Sequence, residues 1–152
     1  RPHSRFVNHP SYMEPVGQAV NWLLTGVGRA YLAYCPERER LGILQRLRRS
    51  DQLEDQLARD PRQIEKIFAE TRARGYGTRA PNFTGGGYRN NRDDGLSGIA
   101  VPLKDGTRVH GSINILWIRT AMTVEECAKR YLPDLQAAAA EIVASMRNSQ
   151  NR

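Results

Sequence analysis

Long apolar runs are missing from this sequence, and so are the residue patterns that build disulfide-bonded or metal-binding domains. No apolar stretch of the 152-residue chain approaches the roughly 18 residues that a membrane-spanning helix requires. The two cysteines, Cys35 and Cys127, lie far apart, and none of the three histidines has a second ligand at a spacing typical of metal sites. We therefore expect reduced core thiols, no metal ion, no cofactor, no membrane partner and a cytoplasmic location.

Lysine is scarce as well. The chain has 3 lysines and 20 arginines, and its net charge is +7. A basic balance raises the expectation of a nucleic-acid partner. The acidic residues, however, are interleaved with the basic ones, as in residues 36–40, and no block of like charge emerges. We therefore expect no DNA-contacting face within this chain.

The strongest positive signal is a β-hairpin. Two runs rich in β-branched residues, 96–103 and 108–118, flank a short polar segment that contains Asp105 and Gly106. Alternation along the second run predicts one face that packs under helices, formed by Val109, Gly111, Ile113, Ile115 and Trp117. The opposite face mixes small, polar and apolar groups, as in the floor of a half-wet cavity: His110, Ser112, Asn114, Leu116 and Ile118.

A short helix is predicted before the hairpin, with Thr25 as its N-cap and residue 34 near its end. Gly26 and Gly28 in its first turn are poor helix formers, and they would let another chain or a ligand approach the backbone. The unpaired N–H groups of that turn would favour an anion.

Three further helices are predicted. One spans residues 36–49, and one runs from Pro61 to a stop at Gly75. A capping box at residues 123–126 opens a long amphipathic helix that reaches about residue 147 and frays beyond residue 145. We expect Pro133 to kink or divide this helix.

Residues 80–95 form a long, polar, glycine-rich loop, and loops of this length are usually functional or disordered. One hypothesis is a lid in which Tyr88, Arg89 and Asn91 fold over a bound acid, and plain disorder is the other. Asp93 and Asp94 form either an acid pair or a solvated turn.

Two constellations remain as candidate sites. The first is the helix start at residues 25–28. The second is the mixed face of the hairpin, where small residues leave volume unfilled and Asn114 supplies both a donor and an acceptor: Gly98, Ala100, Ser112, Asn114 and Leu116. The alternative interpretation is that this face simply meets solvent on a one-sided sheet.

Residues 25–33 read Thr-Gly-Val-Gly-Arg-Ala-Tyr-Leu-Ala, which resembles the T-A-x-G-R-A-x-L-A signature of the IclR-type bacterial transcription regulators. Further matches follow in order at residues 72–77 and 95–103. The whole chain, 1–152, resembles the effector-binding domain of that family without its winged helix-turn-helix domain and without the first helix and strands of the effector domain. Residues 88–91 and 121–123 are similar to activators of 3-(3-hydroxyphenyl)propionate degradation.

The resemblance implies an α+β, GAF-like fold, in which helices flank an antiparallel sheet and a long helix ends the chain. It implies a ligand-sensing regulatory domain and not an enzyme, with a small, aromatic carboxylate as effector, a homodimer or tetramer, and DNA contact only through the missing domain. Carried over by position, the ligand-binding residues are Thr25, Gly26, Val27, Leu96, Gly98, Asn114 and Leu116. Gly26 stands where the signature usually has alanine, so the resemblance implies a roomier pocket there.

Two other function classes stay open. A small cytoplasmic hydrolase or isomerase would use Cys35 or the acidic loop. A ligand-free dimerisation module is the other. For the domain itself, we expect self-association that uses, in part, exposed apolar surface in residues 15–24.

Overall fold

The computed structural model of the protein describes residues 19–85 and 93–150. Its elements in chain order are α1 (Gly26–Tyr34), α2 (Glu37–Arg48), a 3-10 helix (Leu53–Arg59), α3 (Pro61–Arg74), β1 (Gly77–Thr78), β2 (Leu96–Asp105), β3 (Arg108–Ile118) and α4 (Val124–Gln150). The strands form an antiparallel sheet in the order β1-β2-β3. The predicted α+β class, with an antiparallel sheet and a long last helix, is confirmed.

The helix ends form where local chemistry predicted them. The Asp60 carboxylate accepts two backbone N–H bonds at the start of α3, and Gly75 ends that helix in the left-handed region at φ 85°. Thr123 and Glu126 exchange reciprocal side-chain-to-backbone bonds of 3.1 and 2.8 Å before α4, as a capping box does. These short-range signals predicted both ends of α3 and the start of α4 to within a residue or two.

Helices cover both faces of the sheet, and each face has its own core. The first core lies under α1, α2 and α3, and it includes Leu23, Leu32, Ile43, Phe68 and Val109. The second lies under α4 and includes Tyr76, Ile99, Val101, Trp117, Cys127 and Leu135. Burial of these side chains supplies most of the driving force for this arrangement.

Val109 lies on the opposite face from the one that its alternation predicted. Ile113 and Ile115 pack in the α4 core, but Val109 packs with the α1 core. A register shift between Pro102 and Lys104 inserts a bulge in the β2–β3 pairing. Because side chains alternate with period two, one extra residue moves every position beyond it to the other face.

The last helix is longer and more regular than the sequence predicted. It runs from Val124 to Gln150 with Pro133 inside it, so the helix is not divided there and does not fray at residue 145. Pro133 is exposed, so its missing N–H leaves a carbonyl of the preceding turn near water. No helix in the described ranges carries an apolar stretch long enough to cross a bilayer.

Candidate functional site

The start of α1 is held by a turn built around Asn21 and Thr25. The Thr25 hydroxyl donates to the Asn21 carbonyl at 2.7 Å and accepts from the Gly28 N–H at 3.1 Å. The Asn21 side-chain oxygen accepts from the N–H groups of Leu23 and Leu24 at 3.0 and 2.8 Å. The predicted N-cap is therefore confirmed, and it already uses the Gly28 N–H that we had expected to be open to a ligand.

The glycines of this first turn allow the chain to pack against itself. A Cβ at Gly28 would lie 2.4 Å from the Trp22 carbonyl oxygen, and a Cβ at Gly77 would lie 2.3 Å from the Gly26 oxygen. Side chains at either position would overlap neighbouring backbone. The close approach that these glycines permit is thus to Trp22 and β1, and not to a ligand.

Gly26 does not leave extra room, contrary to what the comparison with the alanine of the signature implied. A Cβ at Gly26 would meet the Gly77 carbonyl oxygen at 3.1 Å and the Ala100 methyl group at 3.6 Å. The space beside Gly26 is therefore filled by β1 and β2. The N–H groups of Gly26 and Val27, at the first two helical positions, have no hydrogen-bond partner among the described residues.

The close approach of Gly26 to Ala100 brings the two predicted candidate sites, the helix start and the mixed face of the hairpin, close to each other. Ala100, which faces Gly26, is the cross-strand partner of Asn114 on β3. Opposed residues of antiparallel strands share a face, with Cβ atoms about 5 Å apart. The helix start and the Asn114 amide therefore lie over the same face of the sheet, one strand apart.

Leu116 occupies the space that Gly98 was expected to leave for a ligand. The two residues are cross-strand partners, and a Cβ at Gly98 would lie 2.6 Å from a terminal methyl carbon of Leu116. That leucine is nevertheless 43% exposed. The volume beside Gly98 would become available only if Leu116 adopted another rotamer.

The remaining predicted residues differ in exposure. Leu96 is buried at the start of β2, Thr25 and Val27 are half-buried, and Asn114 is exposed. On the same face, the Ser112 hydroxyl is buried without a hydrogen-bond partner among the described residues. The site is thus an open face with polar groups along its floor, and two surface hollows lie elsewhere, one along α4 and one at the far edge of β2.

Sequence reasoning missed a latch that positions Leu96. Arg79 makes a two-pronged contact with the Asp94 carboxylate, with distances of 3.1 and 2.8 Å, and it donates to the Leu96 carbonyl at 2.9 Å. Its guanidinium also lies 4.8 Å from the centroid of the Phe83 ring. Asp94 in turn accepts from the Leu96 N–H at 2.9 Å, so the latch joins the two ends of the 80–95 loop. Among so many arginines, nothing in the sequence marks Arg79.

Arg29 is a second missed residue. Its Nε donates to the Leu23 carbonyl at 2.6 Å, and the residue is only 7% exposed. Burial, together with the charge of Arg74, lowers the pKa of Arg29 to about 10. The sequence signal that could have revealed it is that Arg29 matches the arginine of the signature at residues 25–33.

The groups required by an enzymatic interpretation are already engaged. Burial raises the pKa of the Cys35 thiol, and its Sγ lies 3.7 Å from the Leu32 carbonyl. Asp93 and Asp94 are paired with Arg119 and Arg79, so they do not act as an acid pair. No cluster of potential metal ligands occurs within residues 19–85 and 93–150.

The loop residues that would form a lid, Tyr88, Arg89 and Asn91, lie outside the described residues. The proposed association segment is described only from Ala19 onward. Within it, Leu23 is fully buried and Val20 is 52% exposed. Trp22 packs edge-on against the Tyr31 ring, with centroids 5.3 Å apart.

Comparison with known proteins identifies the family. The model of the bacterial transcriptional regulator IclR C-terminal domain matches residues 3–144. This chain belongs to that family. The family and the solved structures that resemble this IclR-type domain are named as transcription regulators rather than as enzymes.

Several solved structures share the fold, and three of them serve as examples. They are the repressor BlcR of Agrobacterium tumefaciens, with 23% identity and a TM-score of 0.62 over 88% of this chain, and IclR of Thermotoga maritima, with 23% identity and a TM-score of 0.61 over 85%. The third is the C-terminal domain of the E. coli regulator KdgR, with 23% identity and a TM-score of 0.57 over 82% of this chain. The matches cover 50%, 48% and 70% of those chains, so this chain spans about half the length of the first two.

Proposed function

We propose that this IclR-type domain is the ligand-sensing part of a cytoplasmic transcription regulator, and that its effector is a small aromatic carboxylate. The observation that carries the proposal is the contact between Gly26 and Ala100, because Ala100 pairs with Asn114. The helix start and the Asn114 side chain thereby lie over the same face of the sheet, one strand apart. Both suit an anionic, hydrogen-bonding ligand.

In the proposed complex, the carboxylate accepts hydrogen bonds from the Gly26 and Val27 N–H groups, where the positive end of the α1 dipole also favours it. The Thr25 cap leaves those two donors for the ligand. The Asn114 amide orients a hydroxyl or carboxylate oxygen. The ring packs against Leu96 and Leu116, and Leu116 must swing away from Gly98 to admit it.

Regulation in this proposal depends on association. Effector binding at the start of α1 shifts the arrangement of subunits in a dimer or tetramer, and with it the DNA-binding domains that lie outside this chain. The exposed Val20 side chain contributes to the interface. The similarity of residues 121–123 to activators of 3-(3-hydroxyphenyl)propionate degradation suggests that compound as the first effector to test.

The test is isothermal titration calorimetry with 3-(3-hydroxyphenyl)propionate on the unmodified chain and on Asn114→Leu. We expect the variant to lose roughly 1–3 kcal/mol of binding free energy, because a polar group of the ligand is left unpaired. Asn148→Leu on the exposed outer part of α4 makes the same chemical change away from the site and should bind normally.

Equal affinity for the Asn114 and Asn148 variants would show that the pocket lies elsewhere. If no aromatic or aliphatic acid raises the melting temperature of the chain, the result favours the ligand-free dimerisation module instead. A ligand that binds only the native state must stabilise that state.

A further inference from the structure

A separate cleft lies at the edge of β2 that faces away from β3. β1 pairs only with Ile99 and Ala100, so the β2 residues beyond Ala100 have no strand partner on that side among the described elements. The cleft has a volume of about 270 Å³ and lies between the end of α1, the Gly75 turn and α4. Pro102 lies in this stretch, and proline is tolerated at a strand edge because it has no N–H to pair.

The cleft combines an apolar floor with polar walls. Val101, Pro102 and Ala139 form part of the floor, and the walls include Tyr34, Lys104 and Gln136. Lys104 and Gln136 are exposed at the rim, and apolar surface with a few polar groups is typical of small-molecule sites. The volume is slightly below the ~300 Å³ at which drug-sized pockets begin, so it suits a molecule of about one ring.

The polar walls have unused hydrogen-bonding capacity. Lys104 forms no ion pair with a described carboxylate, and the carboxylate of the adjacent Asp105 is engaged by Arg147 and His110. The Lys104 ammonium instead lies 5.8 Å from the centroid of the Tyr34 ring. Neither the Tyr34 hydroxyl nor the Gln136 amide has a hydrogen-bond partner among the described residues.

Gly75 keeps the cleft open beside the amide. A Cβ at this position would lie 3.6 Å from the Gln136 side-chain nitrogen, so any larger side chain would cover that donor. Two cationic side chains lie near Tyr34, because the charge of Arg72 acts on the phenol and the Lys104 ammonium lies over the ring. Burial raises the pKa of the Tyr34 phenol, which stays a neutral hydrogen-bond donor.

We propose that this cleft is a second ligand site, which binds a small organic monocarboxylate through Lys104, Gln136 and the Tyr34 hydroxyl. One ammonium and two neutral donors match a single carboxylate group, whereas a phosphate dianion would call for more charge-assisted donors. The ligand's apolar body lies on Val101 and Pro102. The cleft shares no residue with the effector site proposed above, so a substitution in one site leaves the ligand contacts of the other in place.

The experiment is a two-dimensional ¹H–¹⁵N NMR titration of the chain with benzoate, and with benzamide as its uncharged analogue. We expect benzoate to shift the backbone amides of Gly75, Lys104 and Gln136, and benzamide to shift them far less. Lys104→Met should weaken benzoate binding at these amides about tenfold, the effect of losing one charge-assisted contact. Lys129→Met, which removes an exposed lysine of α4, should leave it unchanged.

Further variants separate this proposal from the effector site. Asn114→Leu should leave the shifts at Gly75 and Lys104 intact, whatever it does to binding near α1. Gln136→Leu should weaken benzoate binding in the cleft as Lys104→Met does. The proposal is overturned if benzoate shifts only amides around Gly26 and Asn114, or if neither cleft variant changes its affinity.

Discussion

Replacing Gly28 by alanine separates two effects that act in opposite directions. Alanine is the better helix former by about 1 kcal/mol, so helix propensity alone predicts that Gly28→Ala stabilises α1. The geometry predicts the reverse. The new Cβ would lie 2.4 Å from the Trp22 carbonyl oxygen and 2.7 Å from two further backbone atoms of Trp22.

The clash is costly because the atoms it meets cannot easily move. Trp22 belongs to a turn whose next two N–H groups bond to the Asn21 side chain, and whose Leu23 carbonyl bonds to Arg29. Moving Trp22 away would break some of these bonds, at about 1 kcal/mol each. Overpacking of this kind costs about 1–3 kcal/mol, so after the gain of about 1 kcal/mol in propensity we expect a net loss of about 1 kcal/mol.

The matched control is Gly42→Ala in the exposed middle of α2, where a Cβ would meet nothing within 4 Å. This variant should gain roughly 0.5–1 kcal/mol from propensity alone. Guanidinium unfolding followed by circular dichroism gives the free energies of unfolding of both variants. If Gly28→Ala is stabilised as much as Gly42→Ala, Trp22 does not pack on α1 as described.

Two further predictions concern the latch and the thiols. Arg79→Met should lower the free energy of unfolding by about 3 kcal/mol, because it leaves the mostly buried Asp94 carboxylate without its partner. Asp94→Asn keeps a hydrogen-bond acceptor and should lower the free energy of unfolding by less. Equal losses for the two variants in guanidinium unfolding would contradict this assignment. Cys35 and Cys127 should resist iodoacetamide at pH 8 in the native chain, because burial raises the pKa of both thiols, and both should react in denaturant. Fast native labelling of Cys35, measured by mass spectrometry, would return the enzyme hypothesis to consideration.

The features that the sequence predicted well depend on residues a few positions apart. The Thr25 cap, the Asp60–Pro61 start and the Gly75 stop are each determined within one turn of helix. The hairpin is of the same kind, since β2 and β3 are joined by a tight turn at Gly106, whose φ is 59°. These local rules hold whatever other part of the chain packs against the helix or the hairpin.

The features that the sequence did not predict depend on contacts between distant residues. The bulge near Pro102 turns the Val109 side chain to the opposite face of the sheet. The alternation of residues 109–117 in the sequence continues through this point and does not indicate the bulge. Likewise, the glycines at positions 98 and 26 leave room for a ligand only if no other residue occupies the space beside them. Leu116 and the Gly77 carbonyl fill those spaces from other strands.

The close packing around Gly26 also bears on how a bound effector would act. The Gly26 carbonyl, the Ala30 N–H and the Gly77 backbone lie so close that a single methyl group at Gly77 would not fit between them. α1 therefore cannot shift at its start without moving β1. The cap bond from Gly28 to Thr25 and the Arg29 contact with Leu23 tie the preceding turn to the same body. A ligand that displaces the Gly26 and Val27 N–H groups would consequently displace β1 and residues 21–24 together. An effector bound at this position would thus be felt well beyond the residues that it touches, because close-packed elements move as units and not atom by atom.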